Sequence, residues 1–103
     1  MTAHLLVLYP HPKNVDAFER AYRDEHLPFA GPKLAGATSV ETKRVVGPAS
    51  AQPPYHLVSD ITFPSIDALK ACAMSDDGKA ALQHAASISS GGAPTVMVIT
   101  DAF

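Results

Sequence analysis

Apolar residues in this chain come in short runs whose spacing changes from one stretch to the next. His4–Tyr9, HLLVLY, is apolar without alternation, the pattern of a strand covered on both faces, and Pro10 and Pro12 end it. From Asn14 to Pro28 the period lengthens. Val15, Tyr22 and His26 fall near one line at about 3.6 residues per turn, with Phe18 beside them. Asp16, Glu19, Arg20, Arg23 and Asp24 take the other side. The spacing predicts an amphipathic helix capped by Asn14. It stops at Leu27-Pro28, because the residue before a proline avoids the helical region. A histidine is thereby placed in the last turn, on the apolar side.

Leu27–Gly36, LPFAGPKLAG, predicts a loop, or a loop with one turn of helix, whose Phe29 and Leu34 need cover. Ala37–Val46 mixes β-branched and charged residues, an edge strand guarded by Glu41, Lys43 and Arg44. Gly47–Pro54 reads as a mobile connection. In Tyr55–Phe63, Leu57, Ser59, Ile61 and Phe63 share one face; His56, Val58, Asp60 and Thr62 share the other. Ser65 caps a helix over Ile66–Met74, and Ser75 caps a second over Asp76–Ala86. Ile66, Leu69, Ala73, Leu82, Ala85 and Ala86 supply their inner side. Ser87–Pro94 is a flexible loop, and Thr95–Thr100 is the last strand.

The order β-α-β-β-α-β predicts an α+β fold, the ferredoxin-like sandwich: a four-stranded antiparallel sheet with the first and third strands in the centre. One domain over residues 1–103 is expected. Helices cover one face of such a sheet. The other carries Leu6 with Leu8 or Leu5 with Val7, then Val58, and Val96 with Val98 or Met97 with Ile99. Either parity is too apolar for water, which predicts a homodimer with two sheets packed face to face.

Composition narrows the function classes. With 47% hydrophobic and 17% charged residues and a net charge of −2, nothing attracts nucleic acid or an anionic membrane. No stretch approaches the roughly 18 apolar residues of a membrane span, and the opening MTAHLLVLYP lacks the basic start of a secretory signal. The single cysteine, Cys72, excludes an internal disulfide, reads as a small buried hydrophobe, and fits a reducing cytoplasm.

Tyr9-Pro10, Phe18, and then Tyr22-Arg23-Asp24-Glu25-His26-Leu27-Pro28 resemble the EthD family of dimeric α+β barrel proteins. A tyrosine, three residues and then His-x-Pro end that family's first helix. Gly36 and the stretch Phe63–Leu82 are also similar. After Leu82 many relatives are more acidic and aromatic, where this chain has Gln83-His84-Ala85-Ala86, so a shared substrate does not follow. The resemblance implies a dimer with one pocket per subunit. Similar barrels include cofactor-free monooxygenases, polyketide cyclases and decarboxylases, and haem-degrading enzymes. Fold does not choose among them.

His26 has two readings: a core histidine that caps the last carbonyls of its helix, or a general base or hydrogen-bond partner in a semi-apolar pocket. Tyr22 and Tyr9 offer hydroxyls to a bound carbonyl or phenol, or are large core side chains. Phe18, Phe29 and Leu34 are the candidate apolar walls. Asp60 faces solvent, partners a cation, or orients a histidine. His4 and His56 lie at opposite ends of antiparallel strands; His4 and His26 approach each other; His11 and His84 are exposed. No metal site, phosphate loop or Ser-His-Asp pattern is expected. The chain thus reads as a binder of a small, largely apolar organic molecule, aromatic or polyketide-like. As an enzyme it would use no cofactor, with His26 taking a proton and Tyr22 or Tyr9 holding the oxygen. The alternative is a non-catalytic accessory protein of a degradation pathway, and a third reading is a haem-binding barrel.

Overall fold

The computed structural model describes residues 1–48 and 53–103. Its strands are β1 (Ala3–Pro10), β2 (Ser39–Arg44), β3 (Tyr55–Phe63) and β4 (Thr95–Thr100). They form one antiparallel sheet in the order β2-β3-β1-β4, with β1 and β3 central as expected. The sheet is open and does not close into a barrel within one chain. Of the connection over 47–54, residues 49–52 lie outside the described residues.

Helices cover one face only. Ala3, Leu5, Val7 and Tyr9 of β1 point into them, as do Leu57, Ser59, Ile61 and Phe63 of β3. The opposite face carries Leu6 and Leu8, with Val58, Met97 and Ile99 fixed there by the strand register. The helices also fall short of β4: Val96 and Val98, on their side of the sheet, stay 45% and 52% exposed.

The first helical stretch differs most from its expected form. α1 (Val15–Ala21) starts as predicted, the Asn14 side chain accepting a 2.9 Å hydrogen bond from the Ala17 N–H. It then widens into a π-helical turn, Tyr22–His26, in which the Leu27 N–H bonds the Tyr22 carbonyl five residues back. Pro28 does not stop the chain. A proline in an α-helix collides with the carbonyl four residues earlier; the wide turn relieves that collision. Leu27 keeps helical angles (φ −59°, ψ −45°), and Pro28 opens α2 (Leu27–Ala30), where a missing N–H costs nothing. A 3-10 turn, Gly31–Lys33, follows, so most of the expected loop is helical.

The inward line also differs from the expected one. It runs in steps of four through buried Phe18, Tyr22 and His26, while Val15, expected on it, is 44% exposed. His26 lies in mid-helix, not at a helix end. Farther along, α3 (Ile66–Met74) and α4 (Asp76–Ile88) meet at Ser75, whose hydroxyl donates to the Cys72 carbonyl and accepts from the Gly78 N–H. Their buried residues are Leu69, Cys72, Gly78, Ala81 and Ala85; Ala86 points to solvent. Burial pushes the Cys72 thiol up, as befits an inert core residue.

Candidate functional site

Tyr22, His26, Ser59 and Thr42 meet where the widened turn faces β2 and β3. The Tyr22 hydroxyl lies 2.6 Å from Ser59 Oγ and 2.8 Å from Thr42 Oγ1. Beside this cluster runs an open cleft of ≈ 250 Å³. Tyr22, Leu27, Ala30 and Leu34 form one wall, Val40 and Thr42 of the edge strand the other, and Ser59 with Ile61 the floor. Behind it, between helices and sheet, is a smaller inner cavity of ≈ 30 Å³. His26, Ala30, Leu34, Ser59 and Ile61 belong to both and so form the partition between them. A cleft of this size suits a molecule of one or two rings.

The partition is mostly apolar, which sets the state of its histidine. His26 is only 7% exposed, and burial first, then the neighbouring His84, lower its pKa to about 4. The ring is therefore neutral at pH 7. Its Nδ1 lies 2.9 Å from Nδ1 of His84, the two rings nearly parallel at 6°. One of these nitrogens donates and the other accepts, so the two rings hold complementary tautomers. His26 Nε2 has no hydrogen-bond partner among the described residues. Tyr22 packs against the His26 ring at 5.6 Å.

Tyr9 reaches the inner cavity from β1. Its ring is fully buried, and its hydroxyl has no hydrogen-bond partner among the described residues. Burial, then the Tyr22 hydroxyl, raise its pKa well above the usual range of a phenol. Tyr9 is thus a neutral phenol, and the Ser59 hydroxyl is the polar side chain that bears on it.

The other expected residues divide. Leu34 lines both spaces. Phe18 packs against Tyr9 and Tyr22 at 5.2 and 6.2 Å, one layer behind the cleft. Phe29 is turned outward, stacked on His84 at 4.7 Å with the Lys33 ammonium 4.8 Å from its centroid. His84 and Ser59 were not singled out by sequence reasoning. A serine amid Leu57, Ile61 and Phe63 on an inward strand face is a signal for the second; His84 stands three residues after buried Ala81, a signal for the first.

Four histidines sit differently from expectation. His84 is half-buried, not exposed. His11 is also half-buried, its Nε2 donating to the Pro53 carbonyl. His4 cannot approach His26, because odd and even positions of β1 face opposite sides of the sheet; its Nδ1 donates to Asp60 at 2.7 Å on the open face. Asp60 therefore holds a histidine instead of facing solvent alone. His56 was expected on that open face too. A β-bulge leaves it without a partner between the Pro10–Tyr55 and Tyr9–Leu57 pairs and turns it to the helix side, where its Nε2 donates to Glu19 at 2.8 Å. Arg44 donates to the same carboxylate, and with His56 holds Glu19 below the usual carboxylate range. Among the described residues no group of three or more His, Cys, Asp or Glu is placed to hold a metal ion, and no helix is long and apolar enough to cross a membrane.

A family model described as the EthD domain matches residues 11–86. No curated protein matches the sequence. Among solved structures, an ethyl tert-butyl ether D (EthD) family protein from Bacillus halodurans superposes with a TM-score of 0.86 at 25% identity, over 98% of this chain and 99% of that one. A dimeric ferredoxin-like protein of unknown function from Jannaschia superposes at 0.65 and 20% identity, over 97% and 98% of the two chains. SnoaB, a cofactor-independent oxygenase from Streptomyces nogalater, superposes in a variant form at 0.60 and 13% identity, over 99% and 93%.

Proposed function

This chain belongs to the EthD family, and from that premise we propose that it binds a small, largely apolar organic molecule, aromatic or polyketide-like, in the cleft beside Tyr22 and His26. The observation that carries the reading is the pairing of a neutral, buried imidazole edge with an apolar wall. The neutral His26 ring lines the cleft together with Ala30, Leu34 and Ile61, and the Tyr22 hydroxyl is held at the same wall by Ser59 and Thr42. An apolar ring with one hydroxyl or carbonyl fits such a surface: the ring gains by leaving water, and the polar atom keeps a partner. Tyr9 offers a further hydroxyl from the inner cavity to a group small enough to enter it.

The chemistry this site supports is proton removal from a phenol, or from carbon next to a carbonyl, which starts cyclisation or decarboxylation or, with dioxygen as the oxidant, cofactor-free oxygenation. The electrons stay on the organic molecule. The fold shared with a cofactor-independent oxygenase supports this direction at the level of fold. A second reading, binding without turnover, is favoured by one observation: a ring whose pKa is lowered to about 4 is a weak base when it acts alone. The assembly we propose is a homodimer joined through the open sheet face. Leu6, Leu8, Val58, Met97 and Ile99 supply its apolar surface, and a dimeric ferredoxin-like relative supports it.

Calorimetric binding and turnover of a panel of phenols and enolisable ketones test both readings. Binding and turnover lost together in a folded His26→Ala support the catalytic reading. Binding without turnover in the wild type selects the second. No binding by any member of the panel overturns the cleft assignment.

A further inference from the structure

We propose that His84 is the second half of an acid–base unit with His26, and that the pair relays one proton from a phenolic or enolic hydroxyl in the cleft outward to the solvent side of α4. This rests on the cleft reading above and adds to it a residue that touches no ligand.

Geometry carries the inference. The Nδ1 atoms are 2.9 Å apart in rings tilted by only 6°, so a proton on one is aimed at the lone pair of the other. His26 is buried and lines the cleft, whereas His84 lies on α4 at the half-buried rim. The pair therefore spans from an apolar wall to water. Stacking of Phe29 on His84 at 4.7 Å fixes the outer ring. The charged groups nearby are Lys33, over the Phe29 ring, and Asp77, 3.8 Å from Lys33. Tyr22 is the ionisable neighbour on the His26 side.

The step balances within the pair. The ligand O–H bond breaks and its proton passes to His26 Nε2. The electron pair stays on oxygen, leaving a phenolate or enolate. His26 gives its Nδ1 proton to His84 Nδ1 and returns to a neutral ring, now with hydrogen on Nε2. His84 becomes the imidazolium. Burial makes a charge on His26 costly, and this route rests the charge on the ring that water reaches. The weak basicity of His26 alone is then no obstacle, because the proton does not stay there. His84 is on this account a positioning and relay residue.

The probe is para-nitrophenol, whose ionisation shows in its absorbance, with para-nitroanisole as its non-ionisable counterpart. Bound to the wild type, para-nitrophenol should ionise at lower pH than in free solution. Nitrogen-resolved NMR should show His84 becoming imidazolium on binding while His26 stays neutral. His84→Gln keeps a polar side chain of similar reach but cannot take the proton. It should raise the ionisation midpoint of the bound probe by roughly one pH unit or more, the size of effect one adjacent charge produces. Affinity for para-nitroanisole and the denaturation midpoint should not change. An unchanged probe midpoint in His84→Gln, or a neutral His84 in the wild-type complex, overturns the relay and leaves the cleft reading standing. If neither compound binds the wild type, the cleft reading falls and the relay with it.

Discussion

The Tyr22 hydroxyl sits 2.6 Å from Ser59 Oγ and so ties the widened turn of the first helix to a central strand of the sheet. Ser59 is buried among Leu57, Ile61 and Phe63 and finds its bond in that hydroxyl, whereas the other partner, Thr42, lies on the exposed edge strand. Tyr22→Phe should therefore cost about 1–3 kcal/mol, the range for leaving one buried hydroxyl unpaired. Thr42→Val should cost less than that. Urea unfolding of the two variants checks the order, and equal losses would mean that Ser59 is satisfied elsewhere.

Burial of His26 predicts a specific acid sensitivity. Its pKa falls from 6.5 to about 4 in the folded protein, so the unfolded chain takes up the proton first as the pH drops. Stability should be independent of this group above about pH 6.5. It should decline by about 3 kcal/mol as the pH falls to about 4, where the folded ring also protonates. Glu19 acts in the same direction but only below its ordinary 4.5, since its pKa is lowered first by the Arg44 hydrogen bond and then by that of His56. The window above pH 4.5 thus separates His26 from Glu19. His26→Gln should flatten the denaturation midpoint across that window; a slope as steep as in the wild type assigns the sensitivity to another group.

The open sheet face should yield to one charge at its centre. Leu6 pairs with Met97 across the β1–β4 ladder, both on that face. Leu6→Glu should turn a dimer at micromolar concentration into a monomer in light scattering, with little change in helix content by circular dichroism. Dimers that persist in this variant place the interface elsewhere. β4 gives a second reason to expect cover: Val96, Met97, Val98 and Ile99 are all 43–52% exposed, with no charged residue among them to discourage strand addition.

The joint between α3 and α4 leaves no room for a side chain. A Cβ on Gly78 would fall 1.9 Å from the Cys72 carbonyl oxygen. Gly78→Ala should destabilise by roughly 2–4 kcal/mol, as overpacking against fixed backbone does. Ser75→Ala, which removes both the cap and the bond to Cys72, should cost about 1–2 kcal/mol. Thermal melts of the two variants test this ranking, and a benign Gly78→Ala would show that the joint can open.

Both serine caps and the inward face of β3 followed from period and capping chemistry, because each depends on residues close in sequence, and strand order followed from the element order through the few topologies it allows. The His26–His84 contact did not, since it joins residues 58 apart through the packing of two helices. His56 escaped for a different reason. Strict alternation puts it on the open face, and only a bulge where β1 and β3 change register turns it inward. Pro28 misled because its usual effect assumes a regular α-helix upstream, and here the preceding turn is wider. Tyr22, His26 and Leu34 were legible as inward residues; their shared wall required the tertiary structure.

That wide turn sets a phase. Everything from Leu27 to Leu34, including Ala30 at the cleft, inherits its rotation about the helix axis from the single surplus residue held between Tyr22 and His26. Deleting one residue there, at exposed Arg23 or Asp24, would remove no buried contact directly. It would return the helix to its ordinary pitch, swing the following segment by about a quarter turn, and bring Pro28 back against the carbonyl before it. The spacing from Tyr22 to Pro28 is in this sense a reading frame for the cleft, and its length matters more than the identity of the residues that fill it.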